Sequence, residues 1–415
     1  MAQQEQERRS TLCQLLARNR NEFDIEYGGY LSNHMSHYLV ALYELGASKE
    51  RLEKAYEDYS TDTKLEPARP PTTTITTHYL DLVAFFSREL EQLGVRTTLR
   101  RYVPDLLEGV CGSAFHGVIQ LGYALEVMDV PNIAEGLAYF TYSFYSLGHP
   151  KTTASVTGDE AASATLSPSD VMALLDRVRQ DARFGEVFTG DNKKLGFQKR
   201  LHLLAAQYQD GIAPYDLDFR PLIVGRRDDD ASSTRRSRIE ALIDLFTLSA
   251  LKVFASSGYQ YFFVLHLVTA FRALKVTLAA LCGLSQVEEE DVSDDDAELV
   301  ASAFGYFWRS VVCSYIAVDR PAVSDVTPDA IKHDEDEAKK EKENATSERR
   351  KAMSSWADVV AEVMPSHDEH LVKLVFVCWK EAHEHHRGTE QNGWGDYFLH
   401  AAINTALRFH DTWHY

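Results

Sequence analysis

Five histidines sit inside apolar helical runs, namely His34, His37, His116, His266 and His370, and Lys373 follows the last of them by three residues. Residues three apart share one face of a helix. In the run from His370 to Trp379 that face continues through Leu374 and Val377, so Lys373 is aimed where apolar side chains point. A buried ammonium is costly unless it is paired, neutral or modified. The simpler reading is a lysine at the helix edge whose head reaches water. The histidines lie on four separate apolar segments, which is how helical bundles build metal centres from facing helices. Neutral imidazole is the commonest nitrogen ligand for zinc, copper and iron. Taken singly, each histidine has a plainer use as a core side chain bonded to a carbonyl.

His34 and His37 are three apart and can share a face. His37, leading to Leu42 and Leu45, reads as the more inward, and His34 as a ligand or an outer support. Gln120 and Tyr123 fall on the side of His116, and Phe262, Thr269 and Ala273 on that of His266. Lys373 beside a cation could lose its proton and take up carbon dioxide, becoming a carbamate that ligates as a carboxylate. Tyr38, Gln120 and Tyr123 are candidates to supply a proton or a hydrogen bond. The His383-Glu384-His385-His386 cluster reads as a solvated helix end, and His410 and His414 as surface.

The elements that carry these residues have a period near 3.6, and no alternating run is long enough for a sheet. The expected fold is all-α, a large multi-helix bundle with the metal centre in its core. One helical domain is expected over residues 1–415, with flexible charged insertions at 286–297 and 330–354. Helices are expected at Tyr79–Leu93, from Ser167-Pro168-Ser169-Asp170 to about Arg183, and at Trp356–Val363, among others. Residues 105–130 read as one mostly apolar stretch. Gly258–Leu284 is apolar enough to suggest a membrane span, but His266, Arg272 and Lys275 interrupt it and favour a core helix.

The net charge of −19 argues against a nucleic-acid or anionic-membrane surface. Five widely spaced cysteines with no CxxC suggest neither a zinc knuckle nor a disulfide framework. The polar, charged start of the chain is not a secretory leader, so a cytoplasmic protein is expected. There is no GxGxxG, P-loop, GxSxG or HExxH motif, so a flavin or nicotinamide enzyme of the usual fold is not expected.

Four motifs together resemble the questin oxidase-like family: Ser32-Asn33-His34-Met35-Ser36-His37 with Ala41 to Ala47, Ala114 to Ala124, Phe263 to Ala270, and Asp368 to Leu374. The resemblance implies oxidative opening of the central ring of anthraquinones in fungal polyketide pathways, with dioxygen as co-substrate. It further implies non-heme iron (Fe) held by His37, His116, His266, His370 and a carboxylated Lys373, with His34 the extra candidate. A reduced nicotinamide, NADPH, is implied as an electron source for some members, although no dinucleotide fingerprint is present here. The reading is therefore an iron-dependent oxygenase acting on an aromatic polyketide. The alternatives are an NADPH-dependent Baeyer–Villiger-type oxidase without metal, a non-catalytic helical scaffold, and a zinc hydrolase.

Overall fold

The computed structural model describes residues 2–68, 78–151, 166–224, 234–256, 262–284, 292–323, 353–385 and 394–408. These residues are mostly helical, and the strands among them are a two-residue antiparallel pair, Glu26–Tyr27 with Leu31–Ser32. The architecture is all-α, as the 3.6-residue periodicity requires. Chain contacts divide it into two compact units. One comprises Met1–Pro70, Phe254–Thr269 and Asp325–Tyr415; the other comprises Pro71–Val253 and Ala270–Ser324.

In the first unit, helices Ala2–Glu22, Met35–Glu44 and Lys49–Asp62 pack on one another, and Met35–Glu44 packs on Glu369–His385. Eight of the ten residues of Met35–Glu44 are buried, which explains its near-continuous apolar sequence. Gly46, at φ 93°, ends this segment in the left-handed conformation that glycine adopts freely. Ser48 then caps the next helix by accepting from the Arg51 amide. Lys380 pairs with Glu44 at 2.6 Å, which ties the two long helices together at a second level. Residues 262–269, the first two turns of helix Phe262–Cys282, also belong to this unit.

In the second unit, helices His116–Glu126 and Val130–Tyr142 pack closely, and Tyr79–Leu93 packs on the latter. Glycines set the approach. A Cβ at Gly136 would lie 2.5 Å from Leu121 Cα, and one at Gly117 would lie 2.6 Å from Phe140 Cα. A Cβ at Gly122 would lie 2.4 Å from Ala273 Cα. A buried ion pair, Arg309 with Asp216 at 2.6 Å, crosses this unit's interior, and Arg309 also donates to the Leu147 carbonyl.

The apolar stretch 105–130 is not one helix. Helix Val95–Leu106 gives way to short 3-10 turns, and Ser113, Ala114 and Phe115 are all left-handed, at φ 44°, 53° and 71°. A side chain in that region costs about 1–2 kcal/mol per residue. The acidic run Asp294-Asp295-Asp296, expected in a flexible insertion, instead forms the first turn of helix Asp294–Ala317, capped by Ser293. Carboxylates there meet the positive end of the helix dipole. Most of the 330–354 insertion lies outside the described residues.

Helices Phe262–Cys282 and Asp294–Ala317 are long and apolar enough to cross a membrane, but 78% and 83% of their apolar windows are buried within the structure. Four of the five free cysteines are buried.

Candidate metal centre

Within the first unit, His34, His266 and His370 come from three separate segments and are all buried. Each offers a ring nitrogen, and these atoms lie within 4.8 Å of one another, close enough to share one ion. The ring centroids of His34 and His370 are 4.6 Å apart, and those of His266 and His370 are 5.4 Å apart. His37, expected to be the more inward of its pair, is fully buried but stands outside this trio, its ring centroid 5.6 Å from that of His34.

Each element delivers its imidazole for a local reason. His34 immediately precedes the first residue of Met35–Glu44, and its amide donates to the Tyr59 hydroxyl at 3.1 Å. His266 lies one turn into its helix, where its Nδ1–H donates to the Phe262 carbonyl at 2.9 Å. That bond leaves Nε2 as the nitrogen with the lone pair. His370 sits at the start of Glu369–His385, whose first turn is capped by Asp368: its Oδ1 accepts from the amides of His370 and Leu371 at 2.9 and 3.0 Å. Phe262 packs against both His266 and His370, with centroids 4.7 and 4.6 Å away.

Lys373 does not reach water. It is fully buried, and its Nζ has no hydrogen-bond partner among the described residues. Burial pushes its pKa down to about 8, against the opposing pull of the Glu369 and Asp368 carboxylates. An amine in that condition is unprotonated in part at neutral pH, which is the form that reacts with carbon dioxide. Burial, with the Lys373 charge adding to it, holds His370 low, at about 4, so its imidazole is neutral at pH 7. Burial raises the Asp368 carboxyl and Glu369 adds to the effect. Glu369 itself is held below the usual range, because His370 and Lys373 outweigh the burial that opposes them.

Glu369 was not among the residues singled out by sequence. It lies 3.2 Å from the Nδ1 of His34 and 3.2 Å from the Nδ1 of His370. Asp368, Glu369 and His370 also form a second group able to hold a cation. Glu369 further lines a cavity of about 60 Å³ with Tyr38, Asp58, Tyr59, Asp62, Thr63 and His367. The Tyr38 hydroxyl is engaged away from the imidazoles: it donates to the Ser366 carbonyl at 2.5 Å and accepts from Arg51 at 2.7 Å.

His116, Gln120 and Tyr123 are buried in the second unit. His116 is the first residue of its helix, and its Nδ1–H donates to the carbonyl of Ser113, in the left-handed turn. Nε2 therefore carries its lone pair, as in His266. Gln120 donates to Asn132 at 2.9 Å, and its Oε1 has no partner among the described residues. His383 is exposed and bonded to the Trp379 carbonyl, while His386, His410 and His414 lie outside the described residues.

The donor set suits a first-row transition ion. Buried neutral imidazoles with an amine convertible to a carbamate favour such ions over magnesium or calcium, which prefer all-oxygen sites. The buried Lys373 Nζ, without a hydrogen-bond partner among the described residues, is the observation that best fits a bound group at this site.

Comparison with known proteins matches the profile described as Questin oxidase-like to residues 31–378, most of the chain. The chain belongs to the Questin oxidase-like family. The matched span includes every residue of the imidazole trio, as well as Glu369, Lys373 and His116. Similar proteins include the Baeyer-Villiger oxidase notM of Aspergillus sp. (strain MF297-2), 24% identical over 223 residues, 49% of this chain and 51% of the relative. The Baeyer-Villiger oxidase AgnL3 of Paecilomyces divaricatus is 28% identical over 126 residues, covering 25% of this chain and 27% of the relative. The oxidoreductase AflY of Aspergillus parasiticus is 29% identical over 127 residues, 26% of each. The chain thus aligns with about half the length of the first of these Questin oxidase-like relatives and about a quarter of the other two.

Proposed function

We propose that this protein is an oxygenase that uses dioxygen to cleave a ring carbon–carbon bond beside a carbonyl in an anthraquinone-type aromatic polyketide. The observation that carries the reading is the buried trio His34, His266 and His370 with Lys373 on the same helix as His370, its Nζ without a hydrogen-bond partner among the described residues. Two relatives named as Baeyer-Villiger oxidases support the bond chosen, since that reaction inserts oxygen between a carbonyl carbon and its neighbour.

The ion proposed is iron, held by the trio and by Lys373 as its carbamate. When bound, it supplies Lewis acidity and the one-electron chemistry by which dioxygen reacts with a closed-shell ring. The chain's own residues do the rest. The low pKa of His370 keeps its imidazole neutral, so a nitrogen lone pair stays available. The Phe262 ring, packed on two of the three imidazoles, keeps water from that side. The surrounding apolar helix faces exclude further solvent and strengthen each electrostatic contact. NADPH is an electron source in this reading only if an external partner delivers the electrons, since no dinucleotide fingerprint is present.

The experiment is turnover of a hydroxyanthraquinone under ¹⁸O-labelled dioxygen by protein of measured metal content. One or two labelled oxygens in a ring-opened or lactone product support the proposal. Turnover of any substrate without dioxygen overturns it in favour of a hydrolase.

A further inference from the structure

A single oxygen atom, Glu369 Oε1, lies within hydrogen-bonding reach of two imidazoles from opposite ends of the chain, His34 and His370, at 3.2 Å from each Nδ1. A carboxylate oxygen has two lone pairs and no proton to give, so it can accept from both rings at once. For neutral rings one tautomer satisfies this arrangement, with the proton of each on Nδ1. Each Nε2 then keeps its lone pair and points along the opposite edge of its ring. His266 reaches the same tautomer through the Phe262 carbonyl.

The local structure holds Glu369 for this purpose. Asp368 caps the helix start by accepting from the amides of His370 and Leu371, and Glu369 is the first residue of that helix. The Tyr59 hydroxyl anchors the backbone of His34 beside it. The rings of His34 and His370 meet edge to face, at an interplanar angle of 78°, so one acceptor can reach an Nδ1 on each.

We propose that Glu369 is a positioning residue that sets the tautomer and orientation of both His34 and His370, so that their Nε2 atoms converge with that of His266. Outer acceptors of this kind typically change metal affinity about 10–100-fold when removed. His34 and His370 then differ from His266 in kind. A carboxylate supports the first two and makes them more electron-rich donors, whereas a neutral carbonyl supports the third.

The inference rests on the metal-centre reading only for its consequence in affinity, and the test separates the two. Protein labelled with ¹⁵N-histidine is examined metal-free by long-range ¹H–¹⁵N NMR, as wild type, Glu369→Ala and Glu369→Gln. The wild type is expected to show His34 and His370 in the Nδ1–H form. Glu369→Ala is expected to lose that pattern, and Glu369→Gln to retain it, because an amide oxygen still offers two lone pairs. Titration with cobalt(II), followed by its visible absorption, is expected to give roughly 10–100-fold weaker binding for the alanine variant and near-wild-type binding for the glutamine variant. Far-UV circular dichroism checks that each variant is folded. Unchanged tautomers in Glu369→Ala overturn the proposal whatever cobalt does. If the wild type binds no cobalt, the metal reading fails, and the tautomer shift still decides the role of Glu369.

Discussion

The carboxylate of Glu369 is 3.2 Å from the Nδ1 of His34, a residue 335 positions earlier in the chain. That contact closes the N-terminal helices onto the C-terminal ones at the point where the imidazoles gather. A centre assembled in this way depends on long-range packing, so it forms only when the first unit is folded.

The trio makes a direct prediction about which neighbouring histidine matters. His34→Ala is expected to weaken cobalt binding by at least about 100-fold, more than the loss of an outer support. His37→Ala is expected to cost less, because His37 stands outside the trio. Parallel titrations of the two variants check this, and a larger loss for His37→Ala would reverse their roles.

Lys373 predicts opposite effects on metal and on stability. Lys373→Met is expected to abolish iron retention, measured by elemental analysis of purified protein. The same variant, metal-free, is expected to melt higher than the metal-free wild type, because an apolar side chain of similar volume removes the desolvation cost of a buried amine. A lower melting temperature would mean that Lys373 has a stabilising partner.

Close helix approach in the second unit should be intolerant of a methyl group. Gly122→Ala and Gly136→Ala each put a Cβ against backbone, Ala273 Cα at 2.4 Å and Leu121 Cα at 2.5 Å. Each is expected to lose about 1–3 kcal/mol, the usual cost of overpacking, in urea denaturation. Wild-type stability in either would show that the helices can separate without cost.

The Arg309–Asp216 pair, 1% exposed on both sides, separates the loss of one partner from the loss of both. Asp216→Asn or Arg309→Met alone is expected to cost about 3–5 kcal/mol, by leaving a charge buried. The double variant is expected to cost less than the sum. A thermodynamic cycle measures this, and additive losses would show that the two groups do not interact.

Asp181 gives a pH dependence with a definite sign. Hydrogen bonding to Arg183, helped by Tyr215, lowers its pKa from 3.8 to about 2 against the burial that opposes it. A lowered folded-state value means the ionised form stabilises the fold. That stabilisation is full above the unfolded pKa and disappears as pH falls through about 2. Asp181→Asn is expected to be less stable by about 1 kcal/mol at pH 7, after allowance for screening at its partly exposed partner Arg183, with the gap closing near pH 2. A gap independent of pH would assign the effect instead to the hydrogen bond that the Asp181 side chain accepts from the Arg183 amide.

The helices were legible where punctuation met periodicity. Ser167-Pro168-Ser169-Asp170 announced a start, and the structure has Ser167 and Asp170 in a reciprocal capping box with Pro168 at the first position. Tyr79–Leu93 matched its apolar spacing to the residue. The break before His116 was hidden because three non-glycine residues take left-handed conformations inside an apolar run, and tertiary packing, not local propensity, holds them there. Glu369 was hidden for a different reason. An acidic residue at a helix start reads as solvated, and only the fold brings His34 to it.

The left-handed turn at Ser113–Phe115 bears on how the protein can be engineered. Glycine at Ser113 or Ala114 would relieve a conformation that costs about 1–2 kcal/mol per residue, and such a variant would be selected in any screen for heat resistance. The same change would loosen the carbonyl that aims His116. Thermostability and the aim of that imidazole are therefore coupled, in opposite directions, through three residues of backbone.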